Sequence, residues 1–549
     1  MAVDLQAGAP ALNPDVLQRI GAAVGGGDYQ KAHDLAQTEL ARGCVHPALY
    51  NARAMWLERQ QRDSDALVDY QRSKSLAPNS PLILNAIGLC FTRLFQFTEA
   101  VASFDEAIRV NPLFMSSYSR KAEVLSQAGD FGGALRTYER AVALDPRNVE
   151  SLAGLASLAA QRGEMKKAAD YARRAVGLEP AQPTAQAVLA LVDVSQHDFA
   201  SAERRITPLL EDARVVGKGR AALFGVLGDA LDGLNRPEEA FAAYTAENTE
   251  LLRLNSLRFA GTLKISDICE RLLAHYAKSA HGLDEANSDA EPFDGGPAEH
   301  VFLLGFYRSG TTLLEQVLEA HPDIVTLEER EFLADDAERY LTSSAGLDRL
   351  ATLGGENLQN ARGDYWRNVE RQGLKVRGKV FVDKHPLNTI KLPIIARLFP
   401  GAKILFAVRD PRDVILSCYR RHFQINAAMY ELLTFSGAAR SYDAVMQLAA
   451  VLRERLPLKF LDCRYEDVVN DFETSMRTIC EFIGVTYDAS MAKFSSVVRD
   501  DEIRSPSALQ VKRELYREGI AQWRPYAAQF DVVAPLLRPW IDRFGYPAE

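Results

Sequence analysis

The stretch VFLLGFYRSGTTLL, Val301–Leu314, decides how the second half of this chain folds. An apolar run, Val301–Phe306, takes in one glycine, Gly305. After four intervening residues comes a second, Gly310, with Thr311 and Thr312 behind it. From Thr311 to Ala320, the apolar residues Leu313, Leu314, Val317 and Leu318 share one helical face. The order is strand, glycine-bounded loop, helix. Such a loop aims backbone N–H groups and the positive end of a helix at an anion, and hydroxyls add further donors. Loops for nucleoside triphosphates carry Lys directly after the second glycine. Here Thr311 stands in that place, and the positive charge, Arg308, precedes the glycine. The loop of Arg308, Ser309, Gly310, Thr311 and Thr312 is therefore built for an anion, but not for magnesium-bound ATP.

Working outward, short apolar runs recur at Lys379–Val382, Lys403–Val408 and Leu458–Cys463, with helical stretches between them. Apolar strands separated by amphipathic helices predict a parallel sheet covered on both faces. Residues 298–549 are thus expected to form a P-loop-like α/β domain. Asp410 is a natural N-cap with Pro411 at the first helical position. Nucleotides bind such folds at the carboxyl ends of the strands.

The first half reads differently. Pro78, Pro112, Pro146 and Pro180 recur at a fixed period, and other positions keep its phase. Small residues fall at Ala54, Gly88, Ala122 and Ala156, and again at Ala66, Ala100, Ala134 and Ala168. Aromatics fall at Tyr70, Phe104 and Tyr138. Small residues let two helices approach closely, the aromatic fills the gap to the next unit, and the proline stops the second helix. This pattern resembles the tetratricopeptide-repeat family. Weaker copies around Ala32, around Ala190 and Ala202, and around Gly228, Ala240 and Tyr244 extend the expected all-α solenoid to about seven units over 13–254. The resemblance implies a concave groove for a protein or peptide partner. An architectural arm, or a contact forming a homodimer, is the alternative. Residues 255–297 read as a helical extension followed by an acidic, Gly- and Pro-bearing linker.

Bulk composition narrows the function classes. A formal net charge of −9 argues against a general nucleic-acid binder. No apolar run approaches the roughly 18–20 residues needed to span a bilayer, and the opening Met1-Ala2-Val3-Asp4 has no basic n-region. The six cysteines show neither CxxC pairs nor metal-ligand spacing. A cytoplasmic protein with reduced thiols, no metal and no membrane insertion is expected.

The loop and its surroundings, Gly305–Ile324, resemble the 5′-phosphosulfate loop of sulfotransferases that use 3′-phosphoadenosine 5′-phosphosulfate (PAPS). The RSGTT core and the downstream His321-Pro322-Asp323 are closest to the tyrosylprotein sulfotransferase branch. In that family an Arg and a Ser eight residues apart hold the 3′-phosphate, and Arg409 and Ser417 match that spacing. A guanidinium and a hydroxyl suit a phosphate dianion. Ser507, with Gln510, Val511 and Lys512 after it, resembles the segment that closes over the cofactor. Tyr465 is placed for the adenine side or for the core. PAPS is the implied sulfuryl donor, in a family that needs no metal.

The same resemblance implies the catalytic groups. Loose transfer to an acceptor oxygen depends on positioning and on neutralising charge. Arg308 and Lys384 would do this, the family carrying a lysine at the matching place. Asp383 beside it reads as structural. The branch's base is the second of two glutamates, which corresponds to Glu329 in Leu327-Glu328-Glu329-Arg330-Glu331. His385 is the rival base, although small-molecule sulfotransferases have one residue between the lysine and their histidine. Arg330 and Glu331 replace the Thr-Arg of the tyrosylprotein branch, which leaves the acceptor open between a protein or peptide and a carbohydrate or glycolipid. A repeat adaptor with a catalytically inactive nucleotide-binding domain is the reading from another class.

Overall fold

The computed structural model describes residues 10–278, 296–420, 425–496 and 519–548. The chain divides into two compact units, one up to Val226 and one from Leu227 onward.

The first unit is a series of helix pairs: α1 (Pro14–Gly25) with α2 (Tyr29–Ala41), α3 (Pro47–Arg59) with α4 (Asp63–Leu76), and α5 (Pro81–Arg93) with α6 (Phe97–Val110). There follow α7 (Met115–Gln127) with α8 (Phe131–Leu144), α9 (Val149–Gln161) with α10 (Met165–Leu178), and α11 (Pro183–Ser195) with α12 (Phe199–Glu211). The repeat signals act as their chemistry requires. Helices α4, α6, α8 and α10 each end two residues before a phased proline. The intervening residues Ala77, Asn111, Asp145 and Glu179 have φ between −139° and −136°. A following proline disfavours the helical region at these positions. The phased alanines at 54, 66, 100, 122, 134, 156 and 168 are all fully buried. Tyr70 packs with Ile83 and Ile87 of the next pair, and Tyr138 with Leu155 and Leu158.

A seventh pair, α13 (Gly217–Gly233) with α14 (Pro237–Asn255), completes the series. The division between the units falls inside α13. The last copy of the phase read over 13–254 therefore packs with the second unit: Leu231, Ala240, Ala243 and Tyr244 share its core. Helix α15 (Ile265–Lys278) follows. The acidic linker read up to Pro297 lies almost wholly outside the described residues.

The second unit contains β1 (Glu299–Leu304), α16 (Thr311–Glu319), β2 (Ile324–Glu328), α17 (Ala334–Leu341), α18 (Ser344–Ala351), α19 (Gly355–Glu370), β3 (Val380–Lys384), α20 (Leu392–Leu398) and β4 (Lys403–Val408). It continues with α21 (Pro411–Arg420), α22 (Ala427–Leu432), α23 (Phe435–Arg455), β5 (Lys459–Arg464), α24 (Tyr465–Asn470), α25 (Phe472–Ile483) and α26 (Ala534–Arg543). The five strands form a parallel sheet in the order β2-β3-β1-β4-β5. Alternate residues face opposite layers. Phe302, Leu304, Phe381, Ile404 and Phe406 pack into one core, while Val301, Leu303, Val380, Val382, Leu405 and Ala407 join the other with α16 and α25. Burial on both faces explains why these strands read as unbroken apolar runs.

Two details depart from the sequence reading. Strand β2 was not expected, because Ile324-Val-Thr-Leu-Glu328 is too short and mixed to stand out. The first strand ends at Leu304 rather than Phe306. Phe306 is apolar because it is buried against Tyr442, not because it extends the sheet. A Cβ at Gly305 would lie 2.6 Å from the Ala407 carbonyl oxygen, so only glycine lets the loop leave the sheet here.

Close packing in the repeats gives a stability prediction. A Cβ at Gly88 would lie 2.6 Å from the buried Phe104 ring. Gly88→Val is expected to destabilise the repeats by about 2 kcal/mol through overpacking. Urea unfolding followed by circular dichroism should show an earlier transition; an unchanged midpoint would contradict the packing.

Candidate active site

Nearly every residue singled out for chemistry stands directly behind a strand. The Gly305–Gly310 loop follows β1, Glu329 follows β2, Lys384 closes β3 with His385 next, Arg409 follows β4, and Tyr465 follows β5. Because all five strands run parallel, these positions gather on one edge of the sheet. Among the described residues, Thr311 and Thr312 open α16, and Ser417 lies seven residues into α21.

At the loop, Gly310 has φ of 97°, and a Cβ there would meet the Tyr465 ring at 2.8 Å. Glycine is required for both reasons. Ser309, Thr311 and Thr312 are buried at the start of α16, whose first amides have no intrahelical acceptor. Arg308 adopts φ of 65°, an uncommon state for a residue with a Cβ. Its Nε donates to Ser417 Oγ at 2.8 Å. The neighbouring Arg409 donates through Nη1 to the Arg308 carbonyl at 3.0 Å and through Nη2 to the Gly519 carbonyl. The Arg409 guanidinium stands 4.9 Å from the Tyr465 ring centre. Arg308, Gly310, Arg409, Ser417 and Tyr465 thus form one connected cluster, and the loop site and the Arg–Ser site adjoin.

This cluster fits an anionic nucleotide carrying phosphate at two positions. Two guanidinium groups and a hydroxyl come together, and Arg409 Nε is buried with no acceptor among the described residues. Ser507 and Lys512, expected to close over the cofactor, lie outside the described residues. The segment on the far side, Gly519–Trp523, closes over Arg409. Besides the Gly519 contact, Ala521 N and Trp523 N donate to the Asp413 carboxylate at 2.7 and 2.9 Å. Arg412 serves the framework instead: it pairs with Asp410 at 2.8 Å and stacks on Trp523.

The second cluster centres on Lys384, which is fully buried. Its Nζ lies 2.9 Å from Glu315, 2.9 Å from Glu329 and 3.5 Å from Glu328. Register sets this up: Glu328 is the β2 partner of Lys384, and Glu329 N donates to the Lys384 carbonyl at 2.8 Å. Burial opposes the lysine's charge, but the three carboxylates outweigh it and hold Lys384 protonated. With three acids around one base, the cluster keeps an extra proton. Burial pushes Glu315 up to about 8; Lys384 pulls the other way, and Glu328 and Glu329 reinforce the rise.

Glu315 was not singled out from sequence. Its one signal is a glutamate on the buried stripe of α16, one turn beyond Thr311.

His385 belongs to a third group. Its Nε2 lies 2.8 Å from Glu331 Oε1, and the other oxygen of Glu331 pairs with Lys391. Burial would raise Glu331, but His385 and Lys391 bring it down to about 2. Asp383 is locked by Tyr365, whose hydroxyl donates to it at 2.6 Å and also contacts His300 at 3.1 Å. That bond supports the structural reading of Asp383.

The Glu315 environment predicts a pH effect. Its folded value lies above the ordinary 4.5, so the folded chain holds an extra proton between there and about 8. Glu315 therefore lowers stability progressively as pH rises through that window. Lys384, raised above its own ordinary value, titrates outside it. Glu315→Gln should remove this slope. Its unfolding midpoint, relative to the unmodified chain, is expected to rise from about pH 5 to about pH 8. A constant difference across the range would contradict the assignment.

Comparison with known proteins agrees with this architecture. Residues 300–489 match the family model described as Sulfotransferase family, and residues 119–184 match that of the Tetratricopeptide repeat. Protein-tyrosine sulfotransferase A of Caenorhabditis elegans is 27% identical over 260 residues, covering 45% of this chain and 67% of that protein. An uncharacterized protein of Aquifex aeolicus (strain VF5) is 25% identical over 285 residues, 46% of this chain but only 34% of its own length. Among solved structures, the sulfotransferase domain from the Synechococcus PCC 7002 olefin synthase covers 47% of this chain and 98% of its own, at 25% identity and a TM-score of 0.33. The chain joins tetratricopeptide repeats to a sulfotransferase domain.

Proposed function

We propose that this chain moves a sulfuryl group from PAPS to a hydroxyl on a protein or peptide, and that its repeats recruit the acceptor or a partner. The single observation that carries the donor reading is the junction of Arg308, Ser417 and Arg409, which pairs the phosphate loop with a second guanidinium and hydroxyl. A second phosphate on the nucleotide uses both parts; ADP would engage only the loop. The acceptor reading draws on the relatives named as protein-tyrosine sulfotransferases. The described residues include no helix long and apolar enough to cross a membrane. All six cysteines are free and buried, which fits a reducing compartment such as the cytoplasm.

When bound, the donor supplies a sulfuryl group on a phosphate leaving group. The chain's own residues do the rest. Glu329, partly exposed beside Lys384, takes the proton from the acceptor hydroxyl. Lys384 keeps that carboxylate oriented and sets a positive charge at the end of β3. Arg308 and the first amides of α16 neutralise charge on the phosphosulfate side. Ser417 and Arg409 hold the 3′-phosphate, with Tyr465 as a wall. His385, tied to Glu331, orders the rim of the acceptor side.

Two measurements test this. Isothermal titration should show 3′-phosphoadenosine 5′-phosphate binding at least about tenfold more tightly than ADP or magnesium ATP, as expected for one more charge-assisted clamp. Equal affinities would remove the case for the second phosphate. With labelled PAPS and a set of tyrosine peptides, Glu329→Gln is expected to lower kcat by roughly 10²–10⁴ while leaving donor affinity intact. His385→Ala should lose much less, and the reverse ranking would move the base to the histidine. Transfer to glycans but not to peptides would overturn the acceptor reading.

A further inference from the structure

Helix α21 carries Ser417 and ends three residues later at Arg420. The last carbonyls of any helix lack intrahelical donors, and this end is closed from outside the matched sulfotransferase region. Asn248 of α14, itself buried, donates through Nδ2 to the Tyr419 carbonyl at 3.1 Å. Tyr419 hydroxyl and Thr245 Oγ1 are 2.9 Å apart. Phe241 packs against Tyr419 and Phe435, each with ring centres 5.2 Å apart.

Arg420 extends the linkage. Its nearly buried guanidinium donates to Asp232 of α13 at 3.0 Å and to Gln522 at 2.6 Å. Asp232 also accepts from the buried Tyr526 hydroxyl. Gln522 and Tyr526 follow closely in the chain after Gly519, whose carbonyl receives Arg409. Two arms therefore leave the α13–α14 pair. One grips the end of the helix bearing Ser417, and the other grips the segment that covers Arg409.

We infer that Asp232, Thr245 and Asn248 are positioning residues for donor binding, and that the last helix pair of the repeat series is part of the donor site's scaffold. This rests on the donor reading proposed above. None of these residues belongs to the Arg308–Arg409–Ser417 cluster; they act through α21 and through Gly519–Tyr526. Loss of the Asp232 charge leaves the buried Arg420 without its counter-ion. Arg420 then releases Gln522, and the cover over Arg409 loosens.

The test uses the full chain, with 3′-phosphoadenosine 5′-phosphate as the probe in isothermal titration. Asp232→Asn is expected to weaken binding about tenfold, within the range for residues coupled to a ligand they do not touch. Tyr526→Phe removes a single hydroxyl, should fold normally, and is expected to weaken binding about threefold. In turnover assays the donor KM should rise in step while kcat at saturating donor stays within about twofold. Asp69→Asn is the control, since Asp69 is an equally paired carboxylate of the first unit, 2.6 Å from Arg53. It should leave donor affinity unchanged. Probe affinities of both test variants within about twofold of the unmodified chain would overturn the inference, as would an equal loss in the control. An unmodified chain that fails to bind the probe would instead bring down the donor reading, and this inference with it.

Discussion

A lysine with no exposure to solvent, Lys384, ties together the sheet edge that carries the candidate site. An ammonium buried without partners would be prohibitive, and one surrounded by carboxylates is tolerated only when geometry is good. Glu315, Glu328 and Glu329 supply that geometry from α16 and from the end of β2. The consequence is positional. The helix that starts at the phosphate loop, the end of β2 and the end of β3 cannot move independently without pulling a carboxyl group away from the buried ammonium. Glu329 is thereby held beside a fixed cation.

The opposite side of the loop is organised by donors rather than by ion pairs. Arg308 leans on Ser417, and Arg409 spends two donors on the carbonyls of Arg308 and Gly519. Arg409 also lies close enough to Asp413 to favour that carboxylate's charged form. The chain as a whole is acidic, so this concentration of arginine is local and deliberate in position.

The last repeat pair, read with the repeats, falls mostly in the second compact unit. The last repeat pair shares a core with the α/β unit through Tyr244, Ala240 and Ala243. The repeat phase marks where a helix pair begins and ends; it does not say which neighbour will bury that pair's outer face. Here Phe241 and Asn248 meet α21.

Much of this was legible from local pattern. Helix ends followed the phased prolines because proline restricts the residue before it. The parallel sheet followed from apolar runs buried on two faces. The strand–loop–helix order at the loop followed from Gly305, Gly310 and the apolar face of α16, since glycine spacing and helical period are local properties of the chain. Other features were not legible. Strand β2 is too short to show a period, and Glu315 is one glutamate among many until α16 turns it toward Lys384. The meeting of Arg308 with Ser417, more than a hundred residues apart in the chain, depends on β1 and β4 lying side by side. So does the role of α14 at the end of α21. The amino-acid order alone determined most of the elements and the sulfotransferase class, because those depend on neighbours in sequence. Which charges face each other, and which helix closes which site, was decided only when the parallel sheet brought distant strand ends to a single edge.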